Sequence, residues 1–295
     1  MNNKDKITII VPAFNSEEYI DDCISSLLIQ SYNNLEIIIV DDGSTDNTRK
    51  IIEEYSNRDG RILLYKQTNK GVSNARNKGL FHCSGEFVCF VDSDDTIDRD
   101  YCKTLISYMD EDIDVVVCGV NISFNDSFKE HIPSFGKVTG EVACLNTLES
   151  KNLQGFIWNK LFRTSIFRLN NIVFPEGLIY EDLLVCYKYC RSANYVQYID
   201  KSLYNYRRRE GSLCTNYNTP SRMGSLVEII KLIDEITPRN EAYSKPYLFF
   251  LYNSLLRLNK CYIRSNYENS KNIFKECAEF IIKRIQTLEE LIGNF

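Results

Sequence analysis

Short apolar runs and longer amphipathic segments alternate along the first 120 residues of the chain. The run from Ile7 to Val11 is rich in β-branched residues, which favours a strand, and Glu17 to Ile29 places its apolar residues at helical spacing. Strand and helix in regular succession indicate βαβ units and a parallel sheet with helices on both faces. Further strands are predicted at 35–40, 62–65, 87–91 and 115–118, and further helices at 45–55, 72–81 and 101–109.

The pattern changes after residue 120. Residues 121–140 indicate short strands and turns, Glu181 to Cys190 indicates a helix, and Ser202 to Arg207 alternates like an edge strand. We therefore expect an α/β domain over residues 1–214 and a helical C-terminal extension over 215–295. In that extension, helices are predicted at 224–236, 243–263 and 274–292.

Composition narrows the class of protein. The chain has 295 residues, 44% of them hydrophobic, enough for a sizeable core. Its apolar runs fall far short of the roughly 20 residues that span a bilayer. The first residues lead directly into a strand, unlike a secretory signal. We therefore expect a soluble, cytoplasmic protein.

Charge and cysteine content exclude two further classes. A net charge of −5 disfavours nucleic-acid binding, which requires a basic surface. Eleven cysteines without a C-x-x-C pair argue against zinc or a disulfide framework. Reduced thiols in the core are the better interpretation.

Polar residues follow three of the predicted strands. In open parallel sheets, ligands bind beyond the carboxyl ends of the strands. A tight turn and a helix N-cap explain Gly43, Ser44 and Asp46. Asp41 and Asp42 fit either a solvated turn or contacts with a ligand. The three strand ends are Pro12-Ala13-Phe14-Asn15, Asp41-Asp42-Gly43-Ser44 and Asp92-Ser93-Asp94-Asp95.

The third strand end, Asp92 to Asp95, is called the acidic loop below. Two of its carboxylates 4 Å apart would repel by about 4 kcal/mol at an effective dielectric near 20. A divalent cation removes that penalty and could bridge the loop to a diphosphate. A helix cap would explain one of the three aspartates but not all of them.

These strand ends, together with Asn69 to Gly79, resemble the signature of family 2 glycosyltransferases. That family consists of inverting enzymes with the GT-A fold, a Rossmann-like, mostly parallel sheet flanked by helices. The resemblance is dense over residues 6–120 and thinner to about 215. It implies that residues 1–120 bind the nucleotide sugar and that residues 121–214 form the acceptor half.

The resemblance also implies roles for individual residues. Asp42 would hydrogen-bond the base, typically uracil, and Asp94 would lead in binding Mn²⁺ or Mg²⁺, with Asp92 and Asp95 beside it. For Arg76, a surface salt bridge is the competing explanation. The residues implied in nucleotide-sugar binding are Pro12, Ala13, Phe14, Asp41, Asp42, Asn74, Arg76, Asp92 and Ser93.

An inverting transferase also needs a carboxylate that takes the proton of the acceptor hydroxyl. The resemblance implies that this base is Asp182. It also implies that Glu181 and Trp158 lie on the side of the site that contacts the acceptor. A carboxylate in the first turn of a helix is also stabilising, but the order of motifs favours the base. A single tryptophan is more often a core residue. The basic segment implied at the diphosphate is Arg207-Arg208-Arg209.

The expected reaction is transfer of one sugar from a UDP-sugar to a saccharide or a lipid-linked saccharide in surface polysaccharide or glycan biosynthesis. Two alternatives stay open. A sugar-phosphate nucleotidyltransferase would need a Gly-rich, Arg-containing loop after strand one, which Pro12 to Glu17 does not supply. A catalytically inactive nucleotide-sugar-binding relative would not need the carboxylates. Homo-oligomer formation also stays open.

The helix predicted at 243–263 is apolar on nearly every side between Tyr247 and Leu258. Arg257, Lys260 and Arg264 form a basic stripe at helical spacing. One interpretation is a packed helix with a solvated face. The other is peripheral docking on an anionic membrane, at its inner face, where a lipid-linked acceptor would lie.

Overall fold

The computed structural model describes residues 5–124, 127–134, 136–152, 155–208, 220–265 and 270–293. The strands are β1 Ile7–Ala13, β2 Leu35–Asp41, β3 Ile62–Lys66, β4 Phe87–Phe90, β5 Thr96–Ile97, β6 Ile113–Phe124, β7 Ser127–His131, β8 Gly136–Thr139, β9 Lys160–Arg163 and β10 Tyr195–Arg207. The helices are α1 Ile20–Leu28, α2 Thr48–Arg58, α3 Val72–His82, α4 Tyr101–Ile106, α5 Gly140–Leu148, α6 Thr164–Leu169, α7 Glu181–Ser192, α8 Pro220–Ile236, α9 Glu241–Arg264 and α10 Ser270–Gly293.

The N-terminal half of the sheet is parallel, as predicted. Its order is β3-β2-β1-β4, and β1 pairs in parallel with both β2 and β4. Every residue of β1 and β2 is buried, because helices cover both faces of a parallel sheet. The chain runs outward from β1 to β3 and then returns to the other side of β1 as β4. The strand order thus reverses between β1 and β4, where open α/β sheets bind their ligands.

The second half of the sheet adds antiparallel pairs to this parallel arrangement. Strand β9 pairs antiparallel with β4 and β6, and β10 pairs parallel with β6 but antiparallel with β5 and β8. The sheet as a whole is therefore mixed. The edge-strand prediction for Ser202 to Arg207 is wrong, because this segment ends β10, between β6 and β5. The alternation in the sequence is not matched by burial, because Leu203 and Tyr204 are both buried and residues 205–207 are all partly exposed.

The three C-terminal helices form as predicted and pack on one another. Helix α9 also contacts α5, and α8 contacts α7. The buried face of α9 carries Tyr247, Leu251, Leu258 and Cys261. In the described ranges, no helix is long and apolar enough to cross a membrane. The ten cysteines that the structure describes are buried with free thiols, in agreement with the sequence.

Candidate active site

The acidic loop leaves β4 and is held in place by β10. The Tyr204 hydroxyl accepts a hydrogen bond from the Asp92 amide at 3.1 Å and donates one to Asp95 Oδ2 at 2.7 Å. The Arg207 amide donates to Asp95 Oδ1 at 2.8 Å. Burial, together with the charges of Asp92 and Asp94, raises the pKa of Asp95. Sequence reasoning missed Tyr204, since nothing distinguishes it from the other tyrosines of an alternating strand.

A buried arginine joins this loop to the start of α7. The Arg76 side chain, on α3, is only 4% exposed. Its Nη2 donates to Asp92 Oδ1 at 2.9 Å, and its Nη1 donates to Glu181 Oε1 at 2.8 Å and to Asp182 Oδ1 at 2.7 Å. Arg76 is therefore not a surface salt bridge. It connects three carboxylates that lie on two distant parts of the sequence.

Asp182 lies in the first turn of α7 and keeps access to solvent, with 19% of its side chain exposed. Burial raises the pKa of Asp182 to about 7; Arg76 opposes the shift, and the charges of Glu181 and Asp92 add to it. The backbone of Ile157 also acts against the shift and lowers the pKa of Asp182. A carboxyl that titrates near neutrality and reaches solvent can accept a proton at physiological pH.

Asp41, the last residue of β2, and Asp42, which follows it, make separate contacts. Asp41 is fully buried and pairs with Arg49 at 2.6 Å. Asp42 accepts hydrogen bonds at 2.8 Å from Gln67 Nε2 and from the amides of Lys70 and Gly71. Asp42 thus fixes the loop that leads into α3, the helix carrying Arg76. Neither Asp41 nor Asp42 is among the carboxylates that pair with Arg76.

The other residues predicted at the donor are placed as follows. Pro12 and Ala13 are buried at the end of β1, whereas the next residue, Phe14, is 43% exposed. Ser93 Oγ lies 2.7 Å from Ser16 Oγ, and Asn74 Nδ2 donates to Glu176 Oε1 at 2.8 Å. Phe14 therefore offers an exposed ring beside the strand reversal. Asn74 faces the segment that precedes α7.

On the predicted acceptor side, Glu181 joins the Arg76 cluster and Trp158 lies in an aromatic stack. Trp158 is 7% exposed, and its ring stacks at 4.8 Å on Phe156 and at 4.5 Å on Tyr204. The contact between Trp158 and Tyr204 links this stack to the acidic loop. Little of the indole is left for a sugar, whereas Phe156 is 43% exposed.

Of the basic segment predicted to contact the diphosphate, the structure describes Arg207 and Arg208. Arg207 Nη2 donates to Asp22 Oδ2 at 2.9 Å, and its guanidinium lies over the Tyr19 ring. The Arg208 amide donates to Ser123 O at 2.8 Å. Arg209 lies outside the described residues. The Arg207 side chain is 34% exposed and lies against α1.

A metal ion at the acidic loop would have few protein ligands. Among the residues that the structure describes, no three or more His, Cys, Asp or Glu side chains are grouped to hold a metal ion. Asp95 is 1% exposed and its two oxygens accept the hydrogen bonds described above. Asp92 and Asp94 are more accessible. One or two carboxylates suffice for Mg²⁺ when substrate phosphates and water complete the shell.

Residues 8–170 match the family described as glycosyl transferase family 2. The match covers more than half of the chain, which belongs to this family. The class of protein is thus a family 2 glycosyltransferase with the GT-A fold, and the resemblance noted in the sequence is confirmed.

Individual relatives agree with this class. The chain is 40% identical over 220 residues to glycosyltransferase GlyA of Streptococcus pneumoniae, covering 71% of this chain and 31% of that one. It is 34% identical to the putative glycosyltransferase EpsH of Bacillus subtilis, covering 72% and 63%. The chain thus spans less than two thirds of both relatives.

A solved structure has a similar fold. It is that of TarS residues 1–349 from S. aureus in complex with UDP-GlcNAc. The TM-score is 0.78 at 27% identity, covering 97% of this chain and 84% of that one. The similarity therefore includes the C-terminal helices.

Proposed function

We propose that this chain transfers one sugar from a UDP-sugar to an acceptor hydroxyl with inversion, using Asp182 as the base. The observation that carries the proposal is the Arg76 cluster. Arg76 joins Asp92 of the acidic loop, at the strand reversal, to Asp182 on α7. An inverting transferase needs a donor site and a base on one side of a crevice, and these contacts are consistent with that arrangement.

In the proposed step, the acceptor oxygen attacks the anomeric carbon from the face opposite the diphosphate. The bond between that carbon and the diphosphate oxygen breaks, and UDP leaves with the electron pair. The proton of the acceptor hydroxyl passes to a carboxylate oxygen of Asp182. Its raised pKa, near 7, makes the carboxylate a stronger base than an ordinary aspartate while leaving it largely ionised at slightly alkaline pH.

A divalent cation, Mn²⁺ or Mg²⁺, fits the donor set of the acidic loop. Asp94, with Asp92 beside it, would hold the cation, which supplies neutralisation of charge on the leaving diphosphate. We assign Asp95 to positioning the loop, because its carboxylate is engaged by Tyr204 and the Arg207 amide. The acceptor half contributes Glu181, which lies beside Asp182 on Arg76.

The TarS complex with UDP-GlcNAc supports a UDP-sugar as the donor class. We further propose that the acceptor is a saccharide or a lipid-linked saccharide, and that the reaction belongs to surface polysaccharide or glycan assembly in the cytoplasm. An inactive sugar-binding relative is disfavoured, because binding alone does not need a partly exposed carboxylate with a pKa near neutrality.

A screen of nucleotide sugars tests the donor class. Each sugar is added to the purified chain with Mn²⁺, Mg²⁺ or EDTA, and the melting temperature and the release of UDP are measured. A UDP-sugar at a hundred times its Kd should stabilise the chain by about 2.7 kcal/mol. We expect EDTA to reduce this effect and to stop UDP release. If no UDP-sugar shifts melting with either metal, the proposed donor is wrong.

A further inference from the structure

Helix α9 exposes a stripe of four apolar side chains on one face that the active site does not use. Phe249, Tyr252, Leu256 and Ile263 recur at spacings of three, four and seven residues. Their exposed fractions are 48%, 44%, 67% and 72%. The opposite side of α9 is buried against the protein. Exposed apolar side chains gathered on one face of a helix are typical of a surface that contacts a partner or a membrane.

The stripe is bordered by positive charge. Helix α9 carries Lys245, Arg257, Lys260 and Arg264 but a single acidic residue, Glu241, although the whole chain has a net charge of −5. The three cations in its C-terminal half are exposed. Positive charge is therefore concentrated on this helix of an acidic chain.

A groove of about 360 Å³ lies between this face and the end of α5. Its walls include two apolar side chains of the stripe, Phe249 and Leu256, and two neighbouring cations, Arg257 and Lys260. The groove also contains Glu149, but that carboxylate pairs with Lys151 at 2.8 Å. Beyond the groove, the Tyr252 hydroxyl donates to Glu289 on α10 at 2.6 Å.

We propose that the exposed face of α9 docks on the surface of an anionic lipid bilayer. Exposed apolar side chains would enter the interface while the adjacent cations meet the lipid phosphates. A dissolved polyanion would occupy the cations and leave the apolar side chains in water. A second copy would bring four more cations to the contact, with one acidic residue per helix to offset them.

The other side of α9 reaches the base-bearing segment. Cys261, on the buried face, lies close to the Tyr180 side chain, and Arg222 of α8 lies over the Tyr180 ring at 5.7 Å. Tyr180 is held at φ 73°, an uncommon left-handed conformation for a bulky residue. Asp182 follows two residues later. A bilayer on the exposed face would thus be one helix away from the segment that carries the base.

Flotation of the full chain with vesicles tests the docking. We expect binding to vesicles of phosphatidylcholine with phosphatidylglycerol, weaker binding to phosphatidylcholine alone, and loss of binding at high salt. The Arg257→Gln/Lys260→Gln double variant should lose about 30-fold in partitioning, as expected for two cations at an anionic surface. The matched control is Lys50→Gln/Lys103→Gln, which removes two exposed lysines elsewhere and should bind like the parent.

A second pair of variants tests the apolar component. Leu256→Ser/Ile263→Ser should weaken binding to both kinds of vesicle at least about 10-fold, because two apolar side chains leave the interface. The control Leu169→Ser, at a residue 78% exposed on α6, should have no effect. If vesicle binding is sensitive to salt but is not weakened by Leu256→Ser/Ile263→Ser, the surface is a polyanion site and the proposal is overturned. Absence of vesicle binding would also overturn the proposal. The same holds if the chain self-associates and Leu256→Ser/Ile263→Ser abolishes that self-association.

Membrane docking goes beyond the proposed function, and experiments can refute either one without the other. UDP release from a soluble donor, measured without vesicles, should be unchanged in all four variants. A chain that turns over donor but does not bind vesicles would refute the docking alone. A chain that binds vesicles but releases no UDP would refute the proposed function alone.

Discussion

At the scale of single residues, the chemistry depends on the charge balance around Arg76. One buried guanidinium faces the carboxylates of Asp92, Glu181 and Asp182. Burial favours the protonated form of Asp182, and the negative charges of Glu181 and Asp92 add to this effect, so Asp182 binds a proton more tightly than an exposed aspartate. Arg76 opposes that shift and so limits it.

Replacing Arg76 by Gln should move the pH dependence of transfer. The base must be ionised, so the rate should rise with pH through a midpoint near 7 and level off above it. Arg76 lowers the pKa of Asp182, so its removal should raise that midpoint. The measurement is the rate of UDP release against pH. Arg76→Lys, which keeps a cation, should shift the midpoint less.

A melting curve at each pH confirms that the Arg76 variants remain folded. A midpoint that is equal in the parent and in Arg76→Gln would contradict the assigned coupling, whatever the change in maximal rate.

At the scale of elements, the crevice depends on how the loop before α3 is fixed. Gly71 is the N-cap of α3 at φ 89°, a conformation that favours glycine, and its amide donates to Asp42 Oδ2. This contact fixes the entry to the helix that carries Arg76. The sequence predicted α3 and singled out Asp42, but the contact between them joins residues 29 positions apart. Local patterns do not encode such contacts.

Gly71→Ala should lower the free energy of unfolding by about 1–3 kcal/mol, because φ 89° with ψ 164° is a region that essentially only glycine adopts. A Cβ at Gly71 would meet no atom within 4 Å, so the loss is conformational and not steric. Gly60→Ala is the matched control, since Gly60 has equal space and no positive φ. Chemical denaturation measures both variants. Equal stability of the two would contradict the role given to the Gly71 backbone.

At the scale of the whole molecule, the sequence predicted the βαβ half and the C-terminal helices because each follows from local periodicity. Strands β5 and β9, of two and four residues, are too short to show a period. The mixed sheet follows from pairings of β9 and β10 that only tertiary packing determines. The sequence likewise identified Asp92 and Asp182 as separate candidates. Their connection through Arg76 requires three elements to come together.

The most direct test of the account is the Asp182→Asn variant. It keeps the shape of the side chain but cannot take the acceptor proton, so transfer should fall by about 10²–10⁴-fold while UDP still stabilises the chain against melting. The control is Asp112→Asn, an exposed aspartate in the turn before β6, which should turn over like the parent. Loss of transfer with UDP binding retained is the predicted result. Unchanged turnover by Asp182→Asn would contradict the account.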